Sequence, residues 1–394
     1  MKKLRILHLM KDWLFADGTV SVFKTMPTED CFVVLKSGDN LLDKVKSTDV
    51  TAVQVGSIEY YSLLKSGQWD IVWVFGVDAN SANFVRQLDK SIRVVWSPYG
   101  IDYVDFSGHW MYGPVTTKLF LKTTPFRRML KLVSAWTLAR LHLIRFMPRW
   151  QCRFFRRVNY FSCVIPTEES WLRPLVGKKA KRIDFHYISA TSREINYPVV
   201  DLSAKRIWVG NSATLTNNHL EVFAKIKQVV KDLNCDVVVP LSYTRDGEGE
   251  NVVTRAILNT GSQCFGEKFK PIRKLMGLEE YVRHMSSCSV FIFGHRRQQS
   301  VGNTLIALKC GGCVFLDPRN PAYQYFLSNG VTVYPISGLR DGVDNVLRKF
   351  APLQLKNIEF TEKLMGYEKL LSEIRNSVDY LQKAIYGETA VVSE

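Results

Sequence analysis

The chain has 394 residues, 46% of them apolar and 23% charged, and a formal net charge of +16. That length suits two domains better than one, and the composition excludes a disordered or fibrous chain. The charge calls for a polyanionic partner, which leaves nucleic acid, an anionic membrane surface or a phosphorylated substrate; without a run of 18 apolar residues, no transmembrane helix is expected.

The opening residues, MKKLRILHLMKDW, look briefly like a signal peptide. Their apolar core is short, Lys11-Asp12 interrupts it, and no small-residue cleavage site follows. Arg5–Met10 therefore reads as a first β-strand in a cytosolic protein, with His8 a core histidine inside it. CFVVLK, TAVQVG, DIVWVFG and RVVWSPYG follow as strands rich in Val, Ile and Phe and apolar on both faces. Parallel sheets covered on both sides read this way. Asp12 and Asp17 come just after the first strand, and Asp102 follows RVVW within YGID, where it can also serve as a helix N-cap.

From Met111 to Tyr160 there are eleven Lys or Arg residues and no Asp or Glu. Arg127, Arg128, Lys131, Arg149, Arg153, Arg156 and Arg157 are among them, interleaved with aromatics that include Trp136 and Trp150. RRMLKLVSAWTLARLHLIRFMPRW reads as one cationic amphipathic helix, with Leu130, Leu132, Trp136 and Leu143 on a broad apolar flank. Such a segment lies in a membrane interface, basic groups on anionic headgroups and aromatics at the boundary. A core helix with a solvated basic face is the plainer alternative. No nucleic-acid fold signature is present, and nucleic acid is not expected as a partner.

After the strand YFSCVIPT, the polar stretch SREINYPVVDLSAK reads as a linker, and RIWVG opens a new β–loop–α unit. Strands KRIWVGNS, CDVVVPLS, SVFIFG, CVFLD and VTVYPI alternate with helical patterns. The prediction is an α/β protein of two Rossmann-like doubly wound domains, 1–195 with the basic insert 111–160 and 205–370, then a helix and tail over 371–394.

In IWVGNSATLTNNHLEVF a strand ends at Gly210-Asn211-Ser212 before a helix begins. Glycine allows close backbone approach, and a helix start offers unpaired N–H groups to an anion. FIFGHRRQQSVGNTLIALKCGG repeats the arrangement with His295, Arg296, Arg297, Gln298 and Gln299 before a helix starting near Gly302-Asn303-Thr304. Guanidinium groups suit bidentate phosphate contacts. Tyr243 follows the strand DVVVPLS, and Tyr323 and Gln324 follow CVFLD. His219 reads as structural on its helix, CGGC at Cys310–Cys313 as a helix end and turn with reduced thiols, and DGEGE at Asp246–Glu250 as a solvated loop.

VGNSATLTNNHLEVF, VVVPLSY, RRQQSVGNTLIALKCGG and NPAYQYF, with LRILHLMKD and VVWSPYGIDYVDF earlier, resemble glycosyltransferase family 56, the lipid-linked 4-acetamido-4,6-dideoxygalactose (Fuc4NAc) transferases of enterobacterial common antigen synthesis. The family's histidine after the first-half Trp is Ser97 here. The resemblance implies a GT-B fold, two Rossmann-like domains with a cleft between them. It implies inverting transfer from a dTDP-sugar to a lipid-linked (undecaprenyl diphosphate) oligosaccharide, by a peripheral protein on the cytoplasmic face of the inner membrane.

On that reading the donor is held by the turn Gly210–Ser212, by His295 to Gln299, by the helix start Gly302–Thr304, and by Tyr243, Tyr323 and Gln324. The base is Asp102, with Asp12 and Asp17 as second choices. No Asp-x-Asp occurs, so neither a metal nor another cofactor is expected. Another nucleotide-sugar of the UDP-N-acetylhexosamine type, or a membrane-docked nucleotide binder without catalysis, are the alternatives.

Overall fold

The structure is a computed structural model. It describes residues 2–13, 15–38, 41–65, 67–141, 143, 150–185, 195–204, 206–229, 235–242 and 252–387. In chain order the elements begin with β1 (Leu4–Met10), α1 (Ala16–Phe23), β2 (Thr28–Lys36), β3 (Val50–Gln54), α2 (Ile58–Leu63), β4 (Ile71–Phe75), α3 (Ala79–Gln87) and β5 (Arg93–Ser97). Next come α4 (Pro114–Thr123), α5 (Phe126–Arg140), α6 (Trp150–Phe155), β6 (Tyr160–Ser162), α7 (Glu169–Val176) and β7 (Lys181–Ile183). The second half holds β8 (Ile207–Val209), α8 (His219–Val229), β9 (Val237–Pro240), α9 (Val252–Phe265), β10 (Phe269–Ile272), α10 (Leu278–Ser286) and β11 (Val290–Phe293). It continues with α11 (Val301–Lys309), β12 (Cys313–Leu316), α12 (Pro321–Ser328), β13 (Tyr334–Pro335), α13 (Val343–Phe350), α14 (Gln354–Met365) and α15 (Tyr367–Tyr386).

The strands form a seven-stranded sheet ordered β3-β2-β1-β4-β5-β6-β7 and a six-stranded sheet ordered β10-β9-β8-β11-β12-β13. Every pairing is parallel. Central strands are buried on both faces, with β4 and β11 fully buried throughout. That is the physical reason their sequences are unbroken apolar runs. The eleven strands read from sequence are all present. Two more, β7 and β10, lie at sheet edges, where KRI and FKPI carry charge and a proline because half of each strand's hydrogen bonding is open.

Two compact units are formed. The first comprises Met1–His109, Ser134–Ser192 and Tyr367–Glu394, and the second Trp110–Val133 and Arg193–Gly366. These differ from the sequence boundaries in two places. Residues 110–133 join the second unit, because α4 packs on α8 and α9. The carboxy-terminal helix is part of the first unit's core. Its Leu370, Ile374, Val378 and Leu381 recur at helical spacing and are fully buried with Leu4, Ile6 and Trp73.

The helix expected over Arg127–Trp150 ends at Arg140, and a new one begins at Trp150. The helical tail is likewise split between α14 and α15 at Gly366, where a Cβ would come within 2.3 Å of the Glu362 carbonyl oxygen. Cys310 and Cys313 are fully buried, and burial pushes the Cys310 thiol up to about 12, so neither is a ready thiolate at neutral pH.

Candidate active site

In a doubly wound sheet the ligand crevice opens where the strand order reverses, outside the carboxyl ends of the two strands concerned. In the second unit those strands are β8 and β11. Gly210 follows β8 with φ +72°, and a Cβ there would sit 2.7 Å from both the Asn217 Oδ1 and the His219 Nε2. Glycine is required because the chain's own polar side chains crowd it. The Asn217 Oδ1 accepts from the Asn211 N–H at 2.9 Å and from the His295 Nε2 at 2.8 Å. The Asn217 Nδ2 donates to the Ser212 Oγ at 3.0 Å and to the Thr214 Oγ1 at 2.9 Å. Gln299 closes the web, with its Nε2 on the Thr214 Oγ1 at 3.2 Å and its Oε1 accepting from Thr216 at 2.6 Å.

The web fixes one tautomer. The His295 Nε2 faces two amide oxygens, Asn217 Oδ1 and Asn211 Oδ1, so it must carry the proton, and Nδ1 is a lone pair without a partner. Burial holds the pKa of His295 well below the ordinary imidazole value, with Arg297 and His219 adding to the effect. Burial alone lowers His219 to about 3. Both imidazoles are neutral at pH 7, so positive charge at this rim comes from arginine.

Three guanidiniums share it. Asp317, at the end of β12, accepts from the Arg319 Nη2 at 2.6 Å and the Arg296 Nε at 3.4 Å. Arg296 also donates to the Tyr112 carbonyl, and the Arg297 Nη1 donates to the Gln298 carbonyl at 2.9 Å. Directly after them, α11 starts at Val301 with no side chain capping it, behind Ser300 in the left-handed region at φ 62°. Asn303 and Thr304 turn back onto Ser300, at 3.0 Å each, which leaves the amides of the first turn as the helix's positive end. The excess of cations over Asp317, next to that helix start, can hold a diphosphate.

Most of the donor residues expected from sequence thus converge: Gly210, Asn211, Ser212, His295, Arg296, Arg297, Gln298, Gln299, Gly302, Asn303 and Thr304. Gln324 is not drawn in; it is exposed and donates along its own helix to the Ser328 Oγ at 3.0 Å. Tyr323 is half-buried on α12, and Tyr243 lies outside the described residues. Sequence reasoning missed the hub Asn217, the arginine-sharing Asp317 and the staple Asn218. Asn218, at φ 51°, accepts from the Gly113 N–H at 2.8 Å and donates to the Gly294 carbonyl at 2.8 Å. The consecutive Asn-Asn before an amphipathic run was the available signal, since asparagine tolerates positive φ.

In the first unit, Asp12 and Asp17 prove to be loop clamps. Asp12 accepts from the N–H groups of Asp43, Lys44 and Val45 and from the Lys36 ammonium, and these bonds hold its carboxyl at about 2 against the opposing effect of burial. Asp17 accepts from the N–H groups of Lys46 and Ser47. Both carboxylates are thus engaged in holding the segment 43–47. Asp102 differs: burial raises its pKa, the direction a base near neutrality needs. Its Oδ2 accepts from the Val77 and Tyr99 N–H groups, and its Oδ1 faces the Lys11 Nζ at 3.3 Å. Ser97 is a buried hydroxyl between the Trp73 indole N–H and Ser162.

The basic insert divides into unlike parts. Around α6, Phe154 and Phe155 are core residues, so these aromatics are not an exposed belt; Arg153 and Arg156 are exposed, and Arg157 donates to the Asp89 carbonyl. Helices α4 and α5 instead leave Leu121, Phe126, Leu130 and Val133 exposed beside Arg127, Arg128 and Lys131, while Trp136 is half-buried under Arg140. Trp150 is 39% exposed, and Arg149 lies outside the described residues. No helix among the described residues is long and apolar enough to cross a membrane.

Residues 184–373 match the family described as 4-alpha-L-fucosyltransferase, glycosyl transferase group 56. Solved structures share the architecture at low identity. Sucrose-phosphate synthase from Thermosynechococcus elongatus aligns with TM-score 0.67 at 9% identity, covering 97% of this chain and 100% of that one. A glycosyltransferase from Rickettsia africae gives 0.60 at 11%, covering 97% and 100%. Anabaena HepE, solved with UDP and glucose, gives 0.59 at 8%, covering 96% and 100%. Two parallel-sheet Rossmann-like units share the GT-B plan with these solved structures, and residues 184–373 are similar to glycosyl transferase group 56.

Proposed function

We propose that the protein transfers a 4-acetamido-4,6-dideoxygalactose (Fuc4NAc)-type sugar from a dTDP-sugar to a lipid-linked oligosaccharide, with inversion and without a metal. The observation that carries this is the second unit's rim, where Arg296, Arg297 and Arg319 stand beside an uncapped helix start. Departure of the nucleoside diphosphate builds charge on its β-phosphate, and preorganised guanidinium and amide donors stabilise that charge without reorganising. The neutral web around Asn217 keeps the turn Gly210–Ser212 rigid beneath the sugar. Asp102 takes the proton of the attacking acceptor hydroxyl.

The same reading places the protein peripherally on the cytoplasmic face of the inner membrane. Its support is the α4–α5 surface, where exposed Leu121, Phe126 and Leu130 accompany Lys118, Lys122, Arg127, Arg128 and Lys131 with no acidic residue between 111 and 160. Apolar side chains enter the interface while basic ones meet anionic headgroups.

The test is a screen of purified protein against dTDP- and UDP-sugars, by thermal shift and by transfer to undecaprenyl-diphosphate-linked oligosaccharides, with chelator present. Stabilisation and transfer with dTDP-sugars alone supports the reading. Preference for UDP-N-acetylhexosamines replaces the donor, nucleotide binding without transfer replaces the activity, and rescue only by Mg²⁺ or Mn²⁺ overturns the metal-free mechanism.

A further inference from the structure

The first unit has its own reversal point, between β1 and β4. Lys11 follows β1 directly, Gly76 follows β4, and Tyr99 comes two residues after β5. The Lys11 Nζ donates to the Val77 carbonyl at 3.2 Å and to the Asp102 Oδ1 at 3.3 Å. It lies 5.4 Å from the Trp13 ring centroid and 5.7 Å from that of Tyr99. Those two rings stack at 4.7 Å and 27°, with Phe15 beyond Tyr99. Gly76 has φ +67°, and a Cβ there would come within 2.2 Å of the Tyr99 ring and 3.0 Å of the Lys11 Cε, so this cluster can form only on a glycine.

A stable fold does not require this arrangement. A buried ion pair loses more in desolvation than a well-packed apolar substitute would. The pair joins residues 91 positions apart at the place where α/β sheets receive ligands. An ammonium has three donors and two are used here, which leaves one N–H of Lys11 without a partner among the described residues. The Trp13 ring is half-buried, and its indole N–H has no partner among the described residues. Because Asp102 balances the charge of Lys11, the cluster offers hydrogen bonds and an aromatic face with no net charge.

We propose that this cluster is the saccharide subsite for the acceptor: the Trp13 ring carries the apolar face of a pyranose and Lys11 donates to its hydroxyls. The inference rests on the transferase reading above and adds the residues and ligand chemistry of the acceptor side. Lys11 stands 3.3 Å from the Asp102 Oδ1, so an acceptor hydroxyl held by Lys11 is brought close to the carboxylate.

Full-length protein labelled with 5-fluorotryptophan contains nine tryptophans, and Trp13→Phe assigns the ¹⁹F line of Trp13. Titration with methyl β-glucopyranoside and methyl β-galactopyranoside should move that line saturably, and Lys11→Met should abolish the shift; a line that never moves overturns the proposal. A response that collapses with added salt indicates an anion in place of a neutral sugar, and also overturns it. With a lipid-linked acceptor, Trp13→Ala should raise the acceptor KM about tenfold and leave the donor KM unchanged, with Trp13→Phe restoring most of it. Equal changes in both constants would assign Trp13 a merely structural part. If the wild type transfers from no nucleotide-sugar, the transferase reading fails while the fluorine titration still decides the subsite.

Discussion

At Gly210 and Gly294 the second sheet's edge holds a web of neutral amides, hydroxyls and imidazoles, with guanidiniums only at its margin; at Lys11 and Gly76 the first sheet's edge buries an ion pair against aromatic rings. The difference follows from what each edge must meet. A web in which every charge is peripheral stays rigid when an anion arrives and leaves. A cancelled ion pair beside flat rings presents no field, and it discriminates by shape and hydrogen bonding. On the proposed reading the same topology yields an anion site in one half and a neutral-ligand site in the other, by side-chain choice at four strand ends.

The largest test of this contrast is Asp102→Asn. Loss of the base should lower kcat by about 10³-fold, within the range of general acid–base effects, while dTDP affinity stays unchanged. A matching fall in dTDP binding would join the two edges into one function and break the comparison. Next is Arg297→Ala, expected to cost about 100-fold in kcat/KM, as for one lost oxyanion-type donor, with little change in Tm. Unchanged kinetics would remove Arg297 from the anion site. Arg127→Gln with Arg128→Gln should weaken binding to anionic vesicles by roughly 30-fold, from about 1 kcal/mol per basic group. Turnover of a detergent-solubilised acceptor should be untouched, since neither edge includes these residues.

Acid provides the smallest effect and the sharpest contrast. His219 has a folded pKa of about 3, below the unfolded value, so its contribution is complete above about pH 6.5 and is lost as pH falls toward 3. At pH 5 the loss from His219 is about 2 kcal/mol. In the first unit, the low pKa of Asp12 sustains stability above about pH 4 and loses it only toward pH 2; His8 is buried there too, but Asp30 opposes the effect of burial. Hydrogen exchange followed from pH 7 to 5 should show the second unit loosening first, and His219→Gln should flatten that response. Loosening of the first unit ahead of the second would contradict the assignment.

Strand positions were legible because β4, β8 and β11 are apolar on both faces, a pattern only a covered parallel sheet needs. β7 and β10 were not, since KRI and FKPI are short, charged or proline-bearing, and show no apolar run. The clustering of polar groups after the second sheet's strands was legible where they follow a strand directly, at Gly210, His295, Arg296 and Arg297. Asn217 and Asn218 read as the approach to a helix, and only the folded chain shows one as the hub of the web and the other as a staple to Gly113. Lys11 and Asp102 each stood in view, but their pairing depends on β1 lying beside β4, a property of sheet order and not of spacing.

Helix α15 has a consequence for biosynthesis. The wall it supplies to the amino-terminal sheet, through Leu370, Ile374, Val378 and Leu381, represents about 6–12 kcal/mol of apolar burial, comparable with the whole stability of a domain. A ribosome that has made everything up to Gly366 holds a carboxy-terminal sheet with all its parts and an amino-terminal sheet still lacking one side. The half synthesised first is thus the half completed last, and emergence of α15, more than emergence of its own strands, sets when it closes.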